Sequence, residues 1–585
     1  MKFFEVYFNH SNSTFAIPEN TLISDACDIA GYPLNLVCGG KGTCGKCMVT
    51  IRIGGVKQNF LACTTSITED ISIYLSEEQL SKEAQILGTG ERSFHFNPAV
   101  RKIRLNKSQL KPQSYGSFIE QISNYKNLIF TYATVSKTAQ IISASQMEAL
   151  TLIVDNETII DVQPGDTTAF LYGLAVDIGT TTVVGYLYNL NDGRLLGTYS
   201  SLNDQIDRGA DVISRIMYCN MSDNGTRELH DKIINTINRL IDKAEKEHHA
   251  VKSHLFNIVL CGNSTMQHLF HGFNPGALGQ YPFVSIHGDS LISKGSDSAL
   301  KCPDACRIVF LPLLGGFVGA DTLSVLLTVN TDKKKRLVID LGTNGEIAVG
   351  NQDLYYVAST ACGPALEGAG ITFGMRGTLG AIERFEMLNE AIQYDVIGGG
   401  KPSGICGSGI VDIVAELLRQ GLIDQTGKMN KKSDLISDFD GIAYFMVVSP
   451  ENSLNGKGIY VTQKDIRQIQ LAKSAIKTGC LLLLERYGIE GHELDEILLS
   501  GAFGNYINVK NAEYIGLIPK FEGVPVLSIG NGAGSGVQQY LLDKDQSSVS
   551  LMIKKHTQHV ELASDPQFQT TYITNMSFGG TDNES

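Results

Sequence analysis

Four cysteines near the N-terminus have the types and spacing for metal chemistry. Cys38, Cys44 and Cys47 stand in "LVCGGKGTCGKCMV" as C-x5-C-x2-C, and Cys63 in "FLACTT" follows after fifteen intervening residues. Four thiolates suit iron-sulfur or zinc, and one tight glycine loop plus one distant ligand separates the two. Zinc ribbons usually pair two short C-x2-C knuckles, whereas this segment has one. Gly39, Gly40, Gly42 and Gly45 let the backbone wrap closely and aim N–H groups at sulfide and thiolate, which lowers the cost of a net negative cluster. The pattern favours [2Fe-2S] on Cys38, Cys44, Cys47 and Cys63, with structural zinc or free thiols as the alternatives.

A second set of chemistry-bearing residues occurs twice. "LAVDIGTTTVVGYLYNLNDGRLLGTYS" and "LVIDLGTNGEIAVGNQDLYYVAST" each read as an apolar strand, Asp-x-Gly-Thr, a tight turn and two further strands. Asp177, Gly179 and Thr180 correspond to Asp340, Gly342 and Thr343. Each copy is followed by a buried strand running into a glycine turn and a helix ("NIVLCGNSTM", "EILLSGAFGNY"), and then by a third element ("RIVFLPLLGGFVGAD", "VPVLSIGNGAGSGV"). Three elements in the same order, twice, predict two similar halves facing across a cleft.

The turns offer N–H groups and hydroxyls for phosphate oxygens: Gly179, Thr180, Thr181 and Thr182 on one side, Gly342, Thr343, Asn344 and Gly345 on the other. Asp177 and Asp340 end their strands where a carboxylate can hold Mg2+ directly or through its waters. Gly501, Gly504, Gly530 and Gly532 would let a base and ribose approach the backbone. Glu346 is a candidate for orienting water or, equally, a solvated strand residue. Asp321 is a cleft carboxylate or a helix N-cap, and Asn263 and Thr265 reach phosphate or cap the next helix. Asp211 and Arg215, four apart on one helix, are expected to pair with each other.

Elements must position these groups. "FFEVYF", "STFAIP" and "CMVTIRIGG" alternate as strands, and "TLISDACDIAG" reads as a helix stopped by Gly31, with Cys27 packed on its apolar face. A small sheet with one helix and a cysteine loop resembles a plant-type, β-grasp-like ferredoxin domain. Its loop is one residue longer than the plant spacing and the last gap is short. The expected division is residues 1–85 for this domain, 86–102 for a linker, 103–170 for a small α+β middle domain, and 171–585 for the duplicated part. The fold class is therefore a multidomain α/β and α+β chain.

Composition bounds the rest. The chain has 585 residues, 43% hydrophobic and 19% charged, as in multidomain globular proteins. A net charge of -13 argues against a nucleic-acid surface. The N-terminus lacks an apolar signal region and no run has membrane-spanning length, which predicts a cytoplasmic protein without a membrane partner. In a reducing compartment its twelve cysteines are poor evidence for disulfides. Cys302 and Cys306 form a lone C-x3-C and are expected to be surface or partly buried thiols. Cys362 and Cys406 lie in glycine-rich segments; a second, bridged cluster there would need a dimer interface.

The half-repeats resemble the phosphate and adenosine motifs of the actin, sugar kinase and Hsp70 superfamily of ATPases, whose halves are ribonuclease H-like. Over essentially the whole chain, "CGGKGTCGKC" with "LAC", "VDIGTTTV", "DRGADVISRI", "LCGNSTMQHL", "GGFVGAD", "IDLGTNGEI", "ACGPALEGAGI", "KPSGICGSGI" and "LLSGAFGNYI" resemble reductive activators of corrinoid proteins. That resemblance implies ATP-dependent return of a methyltransferase's Co(II) corrinoid to Co(I), with a [2Fe-2S] cluster, ATP and Mg2+ as cofactors. It also implies a corrinoid protein partner, an upstream low-potential reductant and a homodimer. Two other readings remain: an ATP-driven electron donor to a different low-potential enzyme, and a nucleotide-regulated electron carrier or redox sensor without turnover.

Overall fold

The computed structural model describes residues 2–9, 13–30, 34, 47–53, 55–75, 94–106, 117, 119, 127–143, 149–342, 344–388, 391–504 and 506–579. Cys38, Cys44 and Thr343 lie outside the described residues.

The N-terminal domain comprises β1 (Phe3–Phe8), β2 (Ser13–Pro18), α1 (Ile23–Ile29), β3 (Met48–Ile53), β4 (Val56–Leu61) and β5 (Ile71–Tyr74). The strands pair in the order β2-β1-β5-β3-β4. β1 runs parallel to β5 and antiparallel to β2. Alternation along β1 turns Phe4, Val6 and Phe8 inward. They share a core with Ile23, Ala26 and Cys27 of α1, so the helix lies on the sheet and Cys27 is a packed residue, as expected.

The next unit contains β6 (Val100–Asn106), β7 (Ile129–Phe130), α2 (Tyr132–Ser143), β8 (Ala149–Asp155) and β9 (Thr158–Pro164), ordered β6-β8-β9-β7. β6 begins at Val100, inside the stretch assigned to a linker. The physical reason is that the chain is already anchored there: Asn97 N–H donates to the Leu542 carbonyl at 2.8 Å, and Val100 is fully buried opposite Asp155.

The first half of the duplication runs through β10 (Tyr172–Ile178), β11 (Thr182–Asn189), β12 (Arg194–Leu202), α3 (Val212–Met221), α4 (Gly225–Glu247), β13 (Leu255–Gly262), α5 (Ser264–Phe270), β14 (Leu291–Lys294), β15 (Arg307–Phe310) and α6 (Ala320–Val329). The second begins with β16 (Arg336–Leu341), β17 (Gly345–Asn351) and β18 (Leu354–Thr360). An insertion without counterpart in the first half follows: β19 (Ala381–Leu388), β20 (Ala391–Val396), β21 (Gly404–Ile405), α7 (Gly407–Arg419), β22 (Ile436–Phe439), β23 (Ile442–Val448) and β24 (Ile459–Thr462). The half closes with α8 (Gln463–Tyr487), β25 (Glu496–Ser500), β26 (Val526–Gly530), α9 (Gly532–Leu542) and β27 (Thr557–His559).

The sheets are ordered β12-β11-β10-β13-β15-β14 and β26-β25-β16-β17-β18-β27. Counting strands within each half, both follow the order 3-2-1-4-5, with one extra edge strand at opposite ends. β13 and β25 are buried along their whole length, as central parallel strands covered on both faces must be. The helices that follow the fifth strands, α6 and α9, pack together. Gly536 permits this, because a Cβ there would lie 1.8 Å from the Ser324 carbonyl oxygen. Ser324 Oγ also donates to the Ala533 carbonyl at 2.7 Å. Among the described residues no helix is long and apolar enough to cross a membrane.

Candidate functional site

Two of the four cluster cysteines fall among the described residues. β3 follows Cys47 directly, and Cys63 lies just past β4, so pairing of these strands brings both thiols into the domain core. Their sulfurs are 3.2 Å apart. That is too long for a disulfide bond of about 2.05 Å. It approaches the separation of about 3.8 Å for two sulfurs at about 2.3 Å from one tetrahedral metal. The pair fits the expected cluster.

The cleft between the halves gathers carboxylates from four elements. Asp177 is the penultimate residue of β10, Asp321 lies in the first turn of α6, Asp340 is the penultimate residue of β16 and Glu346 is the second of β17; each stays partly exposed. Asp340 and Glu346 are direct cross-strand partners, a like-charge pairing that is unfavourable without a cation. Burial pushes the Asp340 carboxyl up to about 7, with Asp321 and Asp177 adding to the effect. Burial likewise pushes Asp321 up to about 6. It raises Glu346 well above the carboxylate range, reinforced by Asp321 and Asp340. Asp177 is raised by burial and partly relieved by hydrogen bonds from Asn531 and Cys261.

All four donors are hard oxygens, the set Mg2+ takes. Among the described residues no three His, Cys, Asp or Glu side chains converge closely enough to ligate one ion directly. The residues therefore fit an Mg2+ held by one or two carboxylates, with water and phosphate completing its shell.

The first Asp-x-Gly-Thr turn is held from behind. Gly179 N–H donates to the Thr182 carbonyl at 3.0 Å, and Asn203 Nδ2 donates to the Gly179 carbonyl at 2.9 Å. Asn263 does the expected capping, its Oδ1 accepting from Met266 N–H at the start of α5, and its Nδ2 donates to Thr180 Oγ1 at 3.1 Å. Thr265 is buried, with no partner for Oγ1 among the described residues.

The expected Asp211 and Arg215 pairing gives way to a different arrangement. Asp211 caps α3, accepting from Ser214 N–H at 2.7 Å. Fully buried Arg215 donates to the carbonyls of Thr180 and Gly209 and to Gln205 Oε1. An N-cap side chain points at the helix's first N–H groups, away from the fourth residue's guanidinium. Asp321 lies just inside α6, whose N-cap is Gly319, and its Oδ1 accepts from Thr322 N–H at 2.7 Å.

On the second side, Gly342 N–H donates to the Asn344 carbonyl at 3.0 Å, and Gly345 packs against Ile476 and Thr360. Gly501 must be glycine: at φ +92° a Cβ would also lie 2.6 Å from Asp340 Oδ1. Gly530 faces open space, and Gly504 lies over Leu499. Gly532 packs against Ser500 and Val325 and belongs to the α6 and α9 contact. Its neighbour Asn531 reaches the site instead, donating to Asp177 Oδ2 at 3.1 Å. Sequence reasoning missed Asn531; the signal was its N-cap position before the glycine-rich helix. Glu367 was also missed. It accepts from Thr181 Oγ1 at 3.2 Å and so joins the second half to the first Asp-x-Gly-Thr turn.

The corrinoid activation enzyme RamQ of Eubacterium limosum is 46% identical over 577 residues, covering 96% of this chain and 97% of that protein. The chain belongs to the family of corrinoid reductive activators. Models of this activator family match the C-terminal ASKHA domain over residues 334–585 and the middle region over 172–334, so their division falls between the halves of the duplication. The model of the 2Fe-2S iron-sulfur cluster binding domain matches residues 6–70. The solved structure of a reductive activator for corrinoid, iron-sulfur protein superposes with a TM-score of 0.76 at 29% identity, covering 99% of both chains. A [Co(II) methylated amine-specific corrinoid protein] reductase of Methanosarcina barkeri is 25% identical over 450 residues, covering 70% of this chain and 77% of that protein.

Proposed function

We propose that this protein is an ATP-dependent reductive activator. It returns an inactive Co(II) corrinoid, held by the corrinoid protein of a methyltransferase system, to Co(I). The names of the Eubacterium and Methanosarcina relatives support corrinoid reduction. The observation that carries the finer reading is the presence on one chain of the Cys47 and Cys63 pair and a duplicated, carboxylate-lined phosphate cleft.

Cys38, Cys44, Cys47 and Cys63 hold the [2Fe-2S] cluster, which supplies a one-electron carrier at about -400 mV if it behaves as a plant-type centre. Reduction of Co(II) corrinoid demands a lower potential, so transfer needs a second source of free energy. In the cleft, Asp177 and Asp340 hold Mg2+ and its waters, the two turns take the phosphates, and Gly501 and Gly530 leave room for the nucleoside. Glu346 orients the attacking water. Nucleotide binding and hydrolysis couple to reduction to the extent that the two nucleotide states differ in affinity for the corrinoid partner or in how they hold it. A low-potential reductant reloads the chain after each electron.

The test mixes iron-loaded protein, a Co(II) corrinoid protein, a reductant and MgATP, and follows the Co(I) absorption band. Co(I) is expected to accumulate only with MgATP. No Co(I), or the same yield without ATP, would sink the reading.

A further inference from the structure

The segment "ACGPALEGAGITFGMR", residues 361–376, folds back on itself beside the cleft. After β18 a single 3-10 turn, Pro364–Glu367, ends at Gly368, whose Cα is so close to Met375 that a Cβ would lie 2.3 Å from the Met375 carbonyl oxygen. Met375 N–H donates to the Ile405 carbonyl at 2.9 Å, fixing the returning strand. Glu367 and Arg376 are the outer neighbours of these two touching residues, so the fold brings the carboxylate near enough to bear on the guanidinium without pairing with it.

Glu367 reaches the first half at Thr181 Oγ1. Arg376 is only partly exposed, and among the described residues its guanidinium has no hydrogen-bond or ion-pair partner; Glu367 is the anion that bears on it. Burial of this kind costs an arginine water without returning an acceptor. Meanwhile Asp177, Asp321, Asp340 and Glu346 lack any Lys or Arg within 4.0 Å among the described residues. A triphosphate entering this acidic cleft needs positive charge beyond one Mg2+, and a planar guanidinium matches phosphate oxygens two at a time.

We propose that Arg376 is the cation that meets the terminal phosphate of a nucleotide bound in the cleft, and that Glu367 is the residue that positions it. The proposal rests on the reading of the cleft as an ATP site. Glu367 bridges to Thr181; a terminal phosphate takes the Thr181 hydroxyl and the guanidinium together. An arginine supplied from within the same chain is worth about 10^3 to 10^5 in the rate of phosphoryl transfer.

The experiment measures ATP hydrolysis and, separately, ATP and ADP binding on the full, iron-loaded chain. Arg376→Ala is expected to lower kcat by at least about 100-fold, to weaken ATP more than ADP, and to recover part of its rate when guanidinium ion is added. The visible spectrum of the cluster and the thermal midpoint should stay those of the wild type. If the alanine variant does not fold, Arg376→Lys decides, with the same loss of kcat expected at intact ADP affinity. Hydrolysis at the wild-type rate overturns the proposal, as does an equal loss of ATP and ADP affinity without guanidinium rescue. A wild-type protein that binds no MgATP and hydrolyses none overturns the ATP-site reading itself, and this proposal with it.

Discussion

Asp340 and Glu346 face each other across two strands, with Asp321 and Asp177 close by, and burial raises the proton affinity of all four. A carboxyl whose folded value lies above its unfolded value of about 4 gives stability that is full below that value and lost as pH rises through the folded one. For Asp321 and Asp340 the loss falls as pH passes about 6 and about 7. In the proposed site, Mg2+ would take over the role of those protons. Without divalent cation, the thermal midpoint of the duplicated part is expected to fall between about pH 5 and about pH 8. Adding Mg2+ should raise it more at the upper pH, and Asp340→Asn should flatten both effects. An equal Mg2+ response at both pH values would remove the cation from this site.

Residues of this kind were partly legible. Asp177 and Asp340 announce themselves through a repeated Asp-x-Gly-Thr, because a strand end and a tight turn are encoded in contiguous residues. Asp321 is ambiguous because capping and cleft roles share one position, and in the structure it still serves the helix end, accepting from Thr322 N–H behind the Gly319 cap. Helical spacing places Arg215 beside Asp211, and spacing alone ranks such near neighbours above a backbone carbonyl thirty-five residues away.

Among the elements, α6 and α9 form the joint between the halves. Each follows the fifth strand of its sheet, and the contact is dominated by how closely the backbones approach at Gly536 and Ser324. Gly536→Ala would place a methyl group where a carbonyl oxygen sits, forcing the helices apart. The expected cost is about 1 to 3 kcal/mol of stability, seen in denaturant unfolding, together with weaker nucleotide binding. A neutral effect would mean that the joint yields without moving the phosphate turns. The duplication itself was legible as three ordered elements, and the matching strand order bears it out. The insertion between β18 and α8 was not, because its strands carry no repeat partner against which to be recognised.

At the scale of the molecule, the N-terminal domain has its own core, separate from the two cores of the duplicated part. Among the described residues Asp25 on α1 forms an ion pair with Arg208 of the first half, 3.4 Å long and partly exposed to solvent. Such a pair is worth about 0 to 1 kcal/mol. Stripping iron with a chelator is therefore expected to unfold or loosen the N-terminal domain while shifting the thermal midpoint of the remainder by no more than about 2 °C, as read by calorimetry. A joint collapse of both transitions would show that the domains are thermodynamically one.

The amino-acid sequence by itself determined the pieces: a cysteine loop whose glycines and spacing suit iron and sulfur, and two copies of a strand-turn unit whose apolar runs and turn residues need no distant information. Only the tertiary structure decided which of these pieces meet. Asn531 touches Asp177 across 354 positions and Thr181 touches Glu367 across 186, and neither pair leaves a periodicity or local spacing in the chain. Such contacts follow from how two sheets and two helices pack, and packing is set by the summed shape and burial of many side chains.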